Sequence, residues 1–528
     1  MLRLTPVPHP PSAEGPARRL VRSACAAAVI AAQLALPAPA LAQLPGMGDG
    51  GEMTASAERH LGDQIARELY RDPDYIDDPV LAEYVDDIWQ RLLAAARTRG
   101  DLTPELDERF AWTVVLGRDR TINAFALPGG YLGVNLGLIA VVGSRDELAT
   151  VLGHELSHVT QRHIARQMSK QSKQMPLMLA GLILGAIAAS KSRSADAGQA
   201  VIMGSQAAFM QNQLGFSRDM EREADRVGFG VMTQAGYAPQ GAASMFEKLQ
   251  YASRLNDNGS YPYLRSHPLN SERIADMQGR FQFKPGTAPA PLPLAMDHAM
   301  IASRARVLTR PGVDVLRLAI DSASSGEFAK SSPAQQAGTL YAAAMAASEL
   351  RDFKTARALA QRLVTRTAGD APASRLARLL SAEIELTANA APAAAALLDP
   401  KAKDRPEMLL SAQAAVAMRN PAPMIPPLRD WVAVHPRDAS AWRTLANLYG
   451  AQNDTVRAVR ADAEANVAIL DYPGARDRLR AAQDLIRKAS QGQAGGMPVD
   501  HYEASIIDTR ARAVEALFKE QAAEAPLR

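Results

Sequence analysis

One cysteine, Cys25, is all that 528 residues hold, and it falls inside an N-terminal stretch that reads as removable. Past that stretch there is no thiol, which excludes disulfides, thiolate metal ligands and cysteine nucleophiles. A G-x-S-x-G turn is missing too, and with it the serine-hydrolase elbow. Aromatic residues are scarce at 5% while alanine is abundant, a pairing that points to many closely packed helices. Long apolar runs are also lacking. The segment 175–189 is almost wholly apolar but flanked by Lys170, Lys173 and Lys191. It falls short of the roughly 20 residues of a spanning helix. It reads as a buried helix, a membrane-surface contact or a mobile lid.

The chain carries little net charge, +3, and even that has a local source. Arg18, Arg19 and Arg22 precede an apolar stretch over 24–36, and Ala40-Leu41-Ala42 supplies the small-x-small pattern of a cleavage site. Residues 1–42 are therefore expected to be a cleaved signal peptide that exports the protein from the cytoplasm. Cys25 follows Arg22-Ser23-Ala24 and comes too early for lipid attachment. Removing this segment takes away four arginines and one glutamate, and the formal charge with them. The pI of about 8.9 then gives no argument for a nucleic-acid partner.

Beyond a Gly/Pro-rich leader at 44–51, helical spacing runs over 54–96, β-formers fill 110–116, and 122–134 reads as a hairpin turning at Pro128-Gly129-Gly130. Ser144-Arg145-Asp146-Glu147 is an S-x-x-E capping box, so a helix is expected to start at Arg145 and to continue past His163. Helical patterning resumes over 195–233 and 239–255. Pro, Gly and Ala crowd 284–293, which reads as a linker. Nearly everything from 297 onward looks helical. Trp442, Leu445, Ala446, Tyr449, Ala458 and Ala465 sit at the spacing of the tetratricopeptide repeat of about 34 residues, with Asp462 in place of a large apolar residue. Phe353, Ala356, Ala360 and Leu363 form a weaker copy. An alanine-rich bundle without a groove is the plainer reading. The expected architecture is an α+β domain, mostly helical with a small sheet, over 43–283. A linker over 284–296 and an all-α tetratricopeptide-like solenoid over 297–528 follow.

His154-Glu155-Leu156-Ser157-His158 matches H-E-x-x-H on the capped helix. Four residues make just over one turn, so both imidazoles leave one face and can grip one ion. Glu155 lies beside them, where it can take a proton from a water that the ion activates. The apolar residues Leu148, Val151, Leu152 and Val159 around the motif suit a buried active helix. The longer H-E-x-x-H-x-x-G-x-x-H pattern fails, because Gln161 and Ile164 occupy its glycine and last histidine. His163 lies about 140° around the helix from His158 and reads as structural. Glu221 is the better third ligand, with Asp225 one turn on to orient a ligating histidine and Glu223 facing away. By itself this acidic cluster would read as a solvated helix face.

These motifs resemble a known family. His154 to His158 with the E-x-x-A-D pattern of Glu221 to Asp225 is similar to the HtpX-type and CAAX prenyl protease gluzincins. Asn123-Ala124-Phe125 with Gly129-Gly130 resembles the family's strand along the substrate. Ser266-His267-Pro268, followed by Arg273-Ile274, resembles its downstream His-Pro segment. The likeness covers 57–280, and the signal and repeat tail are similar to the family's exported branch.

The resemblance implies one Zn2+ per chain, bound by His154, His158 and Glu221. It implies periplasmic quality control, degrading misfolded or stalled outer-membrane proteins and meeting them and their assembly machinery through the repeats. It also implies that His267 can sit on the zinc and hold the enzyme latent, although a His-Pro turn can be purely structural. Arg218 and His267 are candidates for the oxyanion. A chaperone or adaptor with latent proteolysis is the alternative function. A membrane-embedded prenyl-protein protease fails for want of spanning helices.

Overall fold

The computed structural model describes residues 53–170, 217–254, 262–281, 294–491 and 500–524, all within one compact unit. The signal, the leader, the apolar segment 175–189 and most of the expected linker lie outside them.

Helical spacing over 54–96 resolves into two helices. Helix α1 (Ala55–Arg71) starts at Thr54, whose hydroxyl accepts from the Ala57 amide at 3.2 Å. Pro73, which cannot donate to a helix, closes it, and the short strand β1 (Tyr75–Ile76) follows. Helix α2 (Pro79–Arg99) begins with proline at its first position and Asp78 as its cap, and stops at Gly100 with φ 77°. A short helix α3 (Pro104–Arg109) leads into β2 (Thr113–Gly117).

The expected hairpin is present as β3 (Ala124–Leu127) and β4 (Tyr131–Asn135), joined through Pro128–Gly130. Gly129 and Gly130 both have positive φ, and a Cβ on Gly129 would lie 2.7 Å from the Arg59 Cα of α1. Sheet order is β1-β2-β4-β3, with β2 and β4 parallel and the other pairs antiparallel. Strand β3 is thus an edge. The Asn135 amide donates to the Asn123 carbonyl at 3.0 Å, so by strand alternation the backbone of Ala124 and Ala126 faces the open side.

Helix α4 (Leu136–Val141) precedes the motif helix α5 (Arg145–Thr160), whose cap Ser144 accepts from the Glu147 amide at 3.1 Å. The expected continuation past His163 is not observed. The chain turns at Arg162, which has φ 53° and an ion pair to Glu58 of α1, and restarts as α6 (His163–Lys170). Helices α7 (Arg218–Gln234), α8 (Gln240–Arg254), α9 (Tyr263–Ser266) and α10 (Ser271–Phe281) complete this half. Helix α7 meets α5 glycine to glycine: a Cβ on Gly228 would lie 2.9 Å from Gly153 O. Only such small residues allow the two helices to approach closely enough to share a site.

Thirteen helices follow among the described residues, from α11 (Met296–Leu308) to α23 (His501–Glu524). Helices α20 (Ala439–Ala451) and α21 (Thr455–Ala468) are the pair foreseen from the repeat spacing, with Leu445, Tyr449 and Ala465 buried. Asp462 pairs with Arg478 at 2.8 Å. The weaker copy falls on α15 (Phe353–Thr367), where Ala356, Ala360 and Leu363 are buried.

Both halves share a core, in which Leu81, Ile88 and Leu148 cluster with Met300, Ile301 and Tyr341. Around it run ion pairs: Arg304 to Asp78 at 2.7 Å, Arg375 to Glu83 at 2.7 Å, and Arg405 to Asp77 at 2.7 Å. Among the described residues no helix is long and apolar enough to cross a membrane.

Candidate metal centre

The α5 face that carries His154 and His158 points at α7, and the Gly153–Gly228 contact sets how near the two helices lie. Glu221, in the first turn of α7, therefore falls beside both rings, with its Oε2 3.5 Å from His154 Nε2 and its Oε1 3.5 Å from His158 Nε2. The two imidazoles face each other, Nε2 to Nε2, at 3.0 Å. From the segment after α9, His267 brings Nδ1 to within 3.3 Å of His154 Nε2 and 3.0 Å of Glu221 Oε1. One ligand atom from each of these four residues lies within 4.8 Å of every other. Tetrahedral bonds of about 2.0–2.1 Å would place ligand atoms roughly 3.3 Å apart, so the group fits one ion.

Electrostatics agree with the geometry. His154, Glu155, His158, Glu221, Asp225 and His267 are all between 0 and 5% exposed. Burial opposes a charged ring at His154, but the hydrogen bonds and charges of Asp225 and Glu221 outweigh it and hold a proton there up to about 10. A cation is thus favoured at this spot, and an ion can take the proton's place. Burial, and then the neighbouring His154, push His158 well below the ordinary histidine range, leaving a neutral ring with a lone pair to give. Burial works against charge on Glu221 as well, yet His267 and His154 hold it well below the usual carboxylate range. Glu221 Oε2 has no hydrogen bond, although Arg273 Nη1 lies 2.8 Å away, off the bonding direction.

Glu155 stands over this group. Its Oε2 accepts from the Ala126 amide of edge strand β3 at 2.9 Å, and its Oε1, 3.4 Å from His267 Nε2, has no hydrogen bond. Burial raises its pKa above the ordinary carboxylate value. Asp225 sits behind His154, with Oδ1 3.0 Å from Nδ1, the position from which a carboxylate fixes a ligand's tautomer.

The structure therefore brings together His154, Glu155, His158, Glu221, Asp225 and His267. It sets β3 alongside them through Ala126, next to the foreseen Asn123, Ala124 and Phe125. Arg218 is exposed, and the buried cation of the site is Arg273. Arg273 grips Asp225 through Nε at 2.6 Å and Nη2 at 2.8 Å, and its Nη1 donates to the Pro268 carbonyl at 2.8 Å. No role for this arginine is legible in the sequence, because its partner lies 48 positions away. Tyr263 was missed as well; its ring stacks on His267 with centroids 4.7 Å apart. His163 does not face the ligand atoms, as expected, but it touches the back of His158, Nδ1 to Nδ1, at 2.9 Å.

Residues 81–281 match the model of peptidase family M48. The chain is 30% identical to the beta-barrel assembly-enhancing protease of Yersinia pestis, over 81% of this chain and 84% of that protein. It is 29% identical to the beta-barrel assembly-enhancing protease of Escherichia coli strain K12, over 93% and 97%. It is also 30% identical to the mitochondrial metalloendopeptidase OMA1 of Arabidopsis thaliana, over 36% of each chain.

Proposed function

The chain belongs to peptidase family M48, and on that premise we propose that it is a zinc-dependent endopeptidase of the periplasm. It degrades misfolded or stalled outer-membrane proteins. One observation carries the reading: four buried ligand atoms lie within 4.8 Å of one another, with Glu155 adjacent. His154, His158 and Glu221 would hold the ion, a donor set of nitrogen and oxygen that suits zinc. Bound there, zinc would supply Lewis acidity that polarises the scissile carbonyl and eases loss of a proton from the attacking water. Glu155 takes the proton of that water and passes it to the leaving amine. Asp225 keeps His154 in one tautomer, and Arg273 keeps Asp225 ionised and in place.

The edge of β3, with the backbone of Ala124 and the carbonyl of Ala126, is where an extended substrate adds as a strand, flanked by Asn123 and Phe125, while Glu155 holds the Ala126 amide. His267, buried against Glu221 and Glu155, fills the position a substrate needs and holds the enzyme latent.

The names of the relatives support outer-membrane β-barrel proteins as the substrate class. Residues 1–42 act as signal peptide and 43–283 as protease domain. Residues 297–528, joined through 284–296, form a tetratricopeptide-like array that meets unfolded barrels and their assembly machinery. A second reading, a chaperone or adaptor whose proteolysis stays in reserve, is favoured by the closure of the site by His267.

The test is cleavage of an unfolded outer-membrane barrel protein by the mature chain with zinc. Wild type, Glu155→Gln and His267→Ala are compared. Cleavage lost in the first variant and raised in the second supports the protease. Zinc binding without cleavage by any form transfers the function to the chaperone reading.

A further inference from the structure

The back of His158 is covered by a second histidine. The short contact is His158 Nδ1 to His163 Nδ1, 2.9 Å, between two rings that are 0% exposed. On its far side, His163 Nε2 lies 3.0 Å from Glu223 Oε2, and Arg166 Nη1 reaches the same oxygen at 2.9 Å. We propose that His163 and Glu223 are positioning residues for the metal: they lock His158 in the tautomer that offers Nε2, as Asp225 locks His154. The proposal rests on the reading above that His158 is a ligand.

A neutral imidazole that gives its Nε2 lone pair to an ion carries its hydrogen on Nδ1. At 2.9 Å from a second ring nitrogen, that hydrogen needs a bare acceptor, so His163 Nδ1 must hold none. The one hydrogen of a neutral His163 is then on Nε2, where Glu223 accepts it. Every link fixes the next, and Arg166 Nη1 holds the terminal carboxylate oxygen in place at 2.9 Å. His154 reaches Asp225 directly; His158 reaches Glu223 through one imidazole.

Local geometry explains how the chain builds this. If α5 ran on unbroken, His163 would stand about 140° from His158 and miss it. The turn at Arg162, with φ 53°, swings α6 back so that its first residue lies behind the ligand. On α7, Glu223 is two positions past Glu221, which turns it to the opposite side, toward α6. One helix thus serves the centre from two faces.

The test uses the full chain, with wild type, His163→Phe, Glu223→Gln and His158→Ala. Zinc affinity is measured by competition with a chelator. In the cobalt-substituted protein, the exchangeable ring N–H signals of the ligands are followed by proton NMR. Melting of the metal-free forms checks folding. His163→Phe should weaken zinc binding by about 10- to 100-fold and Glu223→Gln by less. The His158 N–H signal should shift and exchange faster in both, while the His154 signal stays in place. Should His163→Phe fail to fold, Glu223→Gln, on a partly exposed side chain, carries the test. Wild-type affinity in both variants with both N–H signals unmoved overturns the proposal. Zinc binding unaffected by His158→Ala overturns the ligand assignment beneath it, a different and separately visible result.

Discussion

At the metal centre, imidazoles crowd together at 3.0 and 3.3 Å, and two buried carboxylate oxygens, on Glu155 and Glu221, have no hydrogen bond. At the seam between the two halves, Arg304 is just as buried but saturated. It meets Asp78 through two bonds of 2.7 Å and Glu383 through two of 2.8 Å, and also the Tyr341 hydroxyl at 2.9 Å. Arg405, at the same seam, holds Asp77 and Asp438 and leaves Nη1 without a partner. Buried polar groups are ordinarily satisfied, because a lone one costs about 1–3 kcal/mol. Saturation therefore marks structure. Like groups crowded around unmet lone pairs mark a place where something else binds.

That contrast can be broken experimentally at either end. The largest effect is expected at the centre: Glu155→Gln should lower kcat/KM by about 10²- to 10⁴-fold with zinc still bound. Peptidase assays with metal content measured on the same samples check it. At the seam, Arg304→Met strands two carboxylates and should destabilise the fold by about 3–5 kcal/mol, read from urea unfolding, while leaving zinc affinity unchanged. If Arg304→Met instead abolished zinc binding, the two regions would not be separate.

His267→Ala removes one of the crowded rings and should raise cleavage of an unfolded barrel protein, with zinc retained by the other three ligands. The smallest effect is one of pH. Burial would raise the Asp438 pKa, but the hydrogen bonds and charge of Arg405 outweigh it and hold it below the usual carboxylate range. Its folded pKa is thus depressed, so its contribution is full at neutral pH and is lost as pH falls from about 4 through the folded value. Thermal melting between pH 7 and pH 3 should decline less steeply in Asp438→Asn than in wild type.

Legibility in the sequence followed the range of each interaction. His154, Glu155 and His158 lie within one helical turn and a half, and Ser144 announces their helix, so chemistry and element could be read together. Glu221 and Asp225 were readable because they share a face of α7. The hairpin was readable from Pro128-Gly129-Gly130. The end of α5 was not, since Arg162 takes a positive φ with no glycine or proline to signal it. The break after Arg71 was readable only from Pro73, a single residue in an otherwise helical pattern. Arg273, His163 and the seam ions were illegible for one shared reason: each acquires its role from a residue brought near only by tertiary packing. Arg304 and Asp78 are 226 positions apart.

The central claim, that this buried cluster is a zinc centre closed by His267, is met most directly by X-ray absorption at the zinc edge, on wild type and His267→Ala. The account predicts a four-coordinate nitrogen and oxygen shell with three imidazoles in wild type, and one imidazole fewer in the variant. A shell with the same imidazole count in both, or a protein that takes up no zinc, would contradict it.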